Sequence, residues 1–157
     1  MTQEEALHRA ESLCSRSEHC EWDIRLRLRR WDVDPTHHDA IIQSLRHNRF
    51  LDDLRYVKAF VHDKSLFAGW GTQKIQLALQ SKRLPEKTIR EVLLTLNQDE
   101  LLNTLIHLLQ KKMPHVQADS ERARREKLLR FAITRGYTVT QAQQALQHLH
   151  LTDLTDE

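Results

Sequence analysis

Residues that bend or break a chain are scarce here: three Gly and three Pro among 157 residues. An all-β fold needs a turn roughly every ten residues, so this scarcity argues against one. Only two cysteines occur, Cys14 and Cys20, and they form no C-x-x-C pair. We expect neither a disulfide nor a metal site from them, but two small residues in a core or at its edge. No apolar run approaches the roughly 18 residues that a membrane span needs. The start, Met1-Thr2-Gln3-Glu4-Glu5, lacks the basic-then-apolar layout of an export signal. The expectation is a soluble, cytoplasmic protein with no membrane partner.

Chemistry-bearing patterns are missing too. Ten His are scattered, with no H-E-x-x-H and no Cys/His ligand spacing, so no metal is expected. There is no Gly-rich phosphate loop, nucleophile elbow or carboxylate constellation. Asp52-Asp53, at the start of a helical pattern, reads as a cap and a helix-dipole partner rather than a catalytic pair. We therefore expect no enzyme and no cofactor. Charge of one sign is also lacking: 24 Lys and Arg face 22 Asp and Glu, a net +2. A field that weak is no argument for nucleic acid.

What is present is helix. Long stretches rich in Leu, Gln, Arg, Glu and Lys carry apolar residues at helical spacing. The pattern also repeats. Val33–Leu45, Leu84–Leu96 and Tyr137–Leu149 align at offsets of 51 and 53 residues. The columns Ile24/Ile75/Leu128, Leu28/Leu79/Ala132, Val33/Leu84/Tyr137, His38/Ile89/Ala142, Ile41/Val92/Ala145, Ile42/Leu93/Leu146 and Leu45/Leu96/Leu149 are apolar except at His38. Three copies of one unit follow. Ile24 to Leu28 also alternates as a strand would, but the helix caps at its flanks favour helix.

Caps set the boundaries. Asp34-Pro35, or alternatively the box Thr36 to Asp39, opens one helix; Pro85 opens its counterpart, and Thr138 to Gln141 a third. Asp52 caps a helix at the middle of the chain, Gly69 and Gly71 end it, Thr72 caps the next, and Gly136 ends another. The predicted helices are 3–15, 18–31, 36–48, 52–66, 71–82, 85–97, 99–112, 120–135 and 138–148. The predicted fold is all-α: three tandem three-helix, helix-turn-helix-like repeats over 1–51, 52–98 and 99–150, stacked into an elongated, curved array. Residues 113–120 are expected as a flexible link and 151–157 as a frayed acidic tail. Trp22 and Leu26 lie opposite Ile24 and Leu28, and Leu77 repeats Leu26. Such a second apolar side is expected to be covered, through Leu7, Ala10 and Cys14 or through Val57, Phe60 and Val61. Trp70 is expected as a packed anchor of its turn.

Cations cluster on or beside the second helix of each repeat. The candidates for contact with a filament or DNA are Arg25, Arg29 and Arg30; Lys74, Lys82 and Arg83; and Arg122, Arg124, Arg125, Lys127 and Arg130. Arg29, Arg30, Lys127 and Arg130 are predicted to point away from the core. Such a surface suits phosphates, through counterion release, or acidic patches of a protein.

Phe50-Leu51-Asp52-Asp53, Arg55-Tyr56-Val57, Phe60-Val61, Gly69-Trp70-Gly71, Lys74-Ile75 and Leu79 together resemble the central repeat of the RecX family, bacterial regulators of the RecA recombinase. Phe131 with Arg135-Gly136-Tyr137 resembles the third repeat, and Ser17-Glu18 with Trp22 to Trp31 the first. The resemblance implies three three-helix repeats and a non-catalytic regulator of recombination, DNA repair and the SOS response. Such a protein binds the RecA–single-stranded DNA filament, reaches DNA through it, and limits ATP hydrolysis and strand exchange. We expect it as a monomer. Two features depart from the family: a less basic balance, and Asp32 where a Gly usually precedes the third helix. A general helical DNA-binding module, or a helical-repeat adaptor without a recombinase, is the alternative.

Overall fold

The computed structural model describes the chain through Thr155, and its side chains through Leu149. Among the described residues the regular structure is entirely helical. The helices are α1 (Gln3–Arg16), α2 (Glu21–Arg30), α3 (His38–His47), α4 (Asp53–His62), α5 (Thr72–Ser81), α6 (Glu86–Leu93), α7 (Gln98–Lys112), α8 (Glu121–Thr134) and α9 (Val139–Thr155). Ile24 to Leu28 is helix, not strand.

The caps explain most boundaries. Thr2 and Glu5 form a reciprocal capping box at α1. Asp34, rather than Thr36, caps the turn before α3 through the Thr36 amide at 3.0 Å. Asp52 Oδ1 accepts from the Arg55 amide at 2.9 Å, opening α4. Thr138 and Gln141 bond each other's amides at the start of α9. These side chains satisfy donors that a helix start leaves without partners.

Several boundaries differ from expectation. The helix expected over 18–31 starts only at Glu21, and the one expected over 85–97 stops at Leu93. The helix from 52 changes pitch after His62 into a π-helical turn, Asp63–Phe67, where the Ala68 amide donates five residues back to Asp63 O at 3.2 Å. Thr72 does not cap α5; the helix starts there, with Gly71 O accepting from the Ile75 amide at 3.2 Å. The segment expected as a link opens with a 3-10 turn, Met113–His115. It is tied to α8 by Arg124 on Met113 O and Lys127 on Gln117 O. Finally, α9 runs past 148, because no Gly or Pro follows Gly136 to stop it. Of the expected acidic tail, residues 156–157 and all side chains from 150 onward lie outside the described part.

The repeat is visible in the backbone. Asp32, Arg83 and Gly136, at equivalent positions, all adopt positive φ, at 56, 59 and 102°. The following amides, Val33, Leu84 and Tyr137, each donate five residues back, to Leu28, Leu79 and Ala132 at 3.0, 3.3 and 3.1 Å. This is one helix-ending motif used three times. Asp32 thus keeps the conformation that a glycine would supply. The columns read from the sequence are buried except Leu93 and Leu96, which are half-buried. His38, the polar member, is buried and its Nε2 lies 2.9 Å from Val33 O, so its polarity is satisfied inside the core.

Two compact units form. Unit 1 comprises residues 1–60 with 79–92, unit 2 residues 61–78 with 93–157. Each draws helices from two consecutive repeats, as expected when one repeat is too small to bury a core alone. Unit 1 centres on Ala6, Ala10, Ile24, Leu28, Ile41, Ile42 and Leu45. Unit 2 centres on Leu105, Leu109, Leu128, Tyr137, Ala142, Ala145 and Leu146. Cys20 is buried and Cys14 half-buried, both as free thiols.

Candidate functional site

The residues that carry the family resemblance build joints. In unit 2, the turn entering α5 meets the turn between α8 and α9. The Gly71 amide donates to Arg135 O at 2.7 Å, and the Gln73 amide to Gly136 O at 3.0 Å. The end of α8 thereby satisfies the start of α5, negative carbonyls against positive amides. Tyr137 is 1% exposed and its hydroxyl donates to Gly69 O at 3.1 Å. Burial pushes the Tyr137 phenol up to about 12. Trp70 is half-buried beneath Lys74 and Lys64, whose Nζ atoms lie 4.3 and 4.8 Å from its ring, so it is held as an anchor by cation–π contact.

In unit 1, Arg55 does similar work at the end of α3. It reaches Glu18 Oε1 at 2.5 Å and the carbonyls of Arg49 and Phe50 at 3.0 and 3.2 Å. The counterpart of the glycine joint lies where the start of α2 faces the end of α5. Cys20 occupies the place of Gly71, and Arg83 that of Gly136. Here side chains make the connection. Lys82 Nζ donates to Asp23 Oδ1 at 3.0 Å and to the Tyr56 hydroxyl at 2.9 Å. Burial alone would raise the Asp23 pKa, but the bonds from Lys82 and the Cys20 amide outweigh it and hold the carboxyl below its usual value. Lys82 is correspondingly raised against its own burial by Tyr56 and Asp23.

Beside this joint, within unit 1, is a cleft of about 330 Å³. Its walls carry Trp22, Arg25, Arg29, Arg46, Lys82 and Arg83, with Glu21 and Asp53 as carboxylates. Glu21 accepts from Arg25 at 3.1 Å and from Arg46 at 3.0 Å, and Arg46 also reaches Asp53 at 3.4 Å. Burial would raise the Glu21 pKa, but the Arg25 and Arg46 bonds outweigh it and the net shift is downward. The Arg83 guanidinium lies over the Trp22 ring, 5.2 Å from its centre.

The fold thus brings Arg25, Arg29, Lys82 and Arg83 together. Arg25 is engaged with Glu21 and also Asp39 at 2.9 Å, and Lys82 with Asp23. Arg29 and Arg30 are exposed, as their helical position predicts. Lys74 covers Trp70 instead of standing free. On α8, Arg124 and Lys127 are bonded to backbone carbonyls, Arg122 approaches Glu126 at 3.6 Å, and Arg125 and Arg130 are exposed. Sequence reasoning missed Arg46, which sits on α3 outside the charge clusters, and the cation–π contact of Arg83 with Trp22. Trp22 and Leu26 are half-buried, but Leu77, expected to be covered, is 67% exposed.

Known proteins match this arrangement. The family models described as the second and third three-helix domains of RecX match residues 52–93 and 98–146. The protein named Regulatory protein RecX of Clostridium beijerinckii is 27% identical over 139 residues, covering 87% of this chain and 64% of that protein. Its namesake from Prosthecochloris aestuarii is 28% identical over 145 residues, covering 92% and 93%. Of the first curated relatives the chain spans only 44 to 64% of the length. The crystal structure of RecX from Lactobacillus salivarius has the same fold, with a TM-score of 0.80 at 19% identity over 95% of this chain and 97% of that one. No helix among the described residues is long and apolar enough to cross a membrane. With its matched domains spanning more than half of its length and its motif residues forming the joints, the chain belongs to the RecX family.

Proposed function

We propose that this chain is a non-enzymatic regulator of homologous recombination and DNA repair that binds the RecA–single-stranded DNA filament and inhibits its ATPase and strand exchange. Family membership carries this reading. The exposed Arg29 and Arg30 on α2, and Arg125 and Arg130 on α8, support it, because they stand on solvent-facing sides of helices whose other sides are buried. Cations on more than one repeat engage a polymer at several points, which favours the assembled filament over a single subunit.

The test compares binding to bare and to recombinase-coated single-stranded DNA across salt concentrations, with filament ATPase followed in parallel. The expected result is preference for the coated strand and reduced ATP hydrolysis. A steep salt dependence without that preference points to plain DNA binding and overturns the proposal.

A further inference from the structure

The two joints occupy equivalent positions but close differently. In unit 2, glycines at 71 and 136 let backbone meet backbone. In unit 1, Cys20 and Arg83 place side chains there. Among the described residues no backbone bond joins the Arg83 turn to the start of α2. The cleft of about 330 Å³ is the space left open.

Its charges do not cancel. Glu21 and Asp53 are taken up by Arg25 and Arg46, and Lys82 by Asp23. Arg29 and Arg83, both exposed, line the same cleft with no carboxylate recorded against either among the described residues. The Arg83 guanidinium lies over the Trp22 ring, 5.2 Å from its centre, so a cation–π contact helps hold this side chain at the cleft. A guanidinium presents a planar fork of N–H donors that matches phosphate oxygens. Two such cations balance a phosphate monoester, which carries about −1.5 to −2 near neutral pH. A single carboxylate would leave one cation uncompensated. The volume falls at the small end of the range for ligand sites, roughly 300–1,000 Å³.

We propose that this cleft binds the terminal phosphate of a nucleotide, with Arg29 and Arg83 as its ligands. The same chemistry is offered by a free nucleotide and by the phosphorylated end of a single strand. The site does not depend on the recombinase reading, since it requires only unit 1 and its own ligand.

The test is titration calorimetry on the full chain at low salt, with ADP and with a DNA trinucleotide bearing either a 5′-phosphate or a 5′-hydroxyl. Binding of ADP or of the phosphorylated trinucleotide is expected, and which of them binds identifies the source. Arg29→Glu with Arg83→Glu should weaken it at least tenfold, whereas Lys58→Glu with Lys111→Glu, both exposed and outside the cleft and the proposed filament surface, should not. Circular dichroism melting checks that each variant folds. If the double Glu variant does not, Arg29→Gln with Arg83→Gln should show the same loss. The proposal is overturned if neither phosphate compound binds or if the cleft variants bind like wild type. Equal affinity for the 5′-hydroxyl trinucleotide, or tighter cleft-dependent binding of an Asp/Glu-rich peptide, also overturns it.

Discussion

Gly71 and Gly136 meet without side chains between them: a Cβ on Gly71 would stand 2.3 Å from the carbonyl carbon of Gly136. A Cβ on Gly136 would lie 2.5 Å from Lys74 Cβ and 2.7 Å from Lys74 N, at a φ of 102°. No rotamer change relieves contacts with backbone atoms, so alanine at either position must part the two turns. We expect Gly71→Ala and Gly136→Ala each to destabilise by about 3 kcal/mol, at the upper end for single substitutions. Asp32→Gly should act oppositely. Asp32 pays the left-handed penalty at φ 56°, about 1–2 kcal/mol, partly offset by the extra chain entropy of Gly. Urea unfolding of the three variants measures both signs, and a destabilised Asp32→Gly would contradict the strain argument.

The Asp23–Lys82 bond spans 59 residues of sequence and ties α5 to α2. Because the folded Asp23 pKa is lowered, its contribution is present above the ordinary value of 3.8 and is lost as pH falls through the folded value. Asp23→Asn should cost about 1 kcal/mol at pH 7, the Lys82 ammonium keeping partial access to solvent. The stability of this variant should also fall less on acidification below 3.8. Chemical denaturation at pH 7 and at pH 3 for both proteins provides the comparison; parallel acid losses would show the pair is not coupled to folding.

Alkali acts through the phenols. Burial pushes Tyr56 and Tyr137 from 10.0 to about 12, so their contributions hold below 10.0 and are lost as pH rises toward 12. Tyr137→Phe removes the bond to Gly69 O and should cost about 1 kcal/mol at neutral pH. The same variant should lose less stability than wild type between pH 10 and 12. Melting temperatures taken across that interval test the difference in slope.

The proposed filament surface is tested apart from the cleft by Arg30→Glu combined with Arg125→Glu and Arg130→Glu. All three residues are exposed, so helicity and melting should stay unchanged while filament binding weakens. If each contacts a phosphate, the slope of log K against log salt should become shallower by about 0.7 per contact, the value for single strands. Unaltered inhibition of filament ATPase would remove this surface from the proposal.

Much of the local structure was legible because its causes are local. Asp52, Thr138 and Gln141 cap helices through amides three residues away, and Gly136 ends α8 through its own torsion. The columns from Ile24 to Leu149 showed which side of each helix is buried, since helical spacing alone decides that. The π-helical turn at Asp63–Phe67 had no such signal, and neither did the replacement of a Thr72 cap by carbonyls of Arg135 and Gly136. Those carbonyls come from more than sixty residues downstream, beyond the reach of any local rule.

The sequence by itself determined that this chain is helical, that its unit recurs three times, and which family it resembles, because periodicity, caps and short motifs are properties of neighbouring residues. Only the tertiary structure decided what each cation does. Charge pairing depends on distance in space, and it is folding that sets Lys82 against Asp23, Arg46 against Glu21 and Arg83 on Trp22, while leaving Arg29 and Arg30 facing solvent.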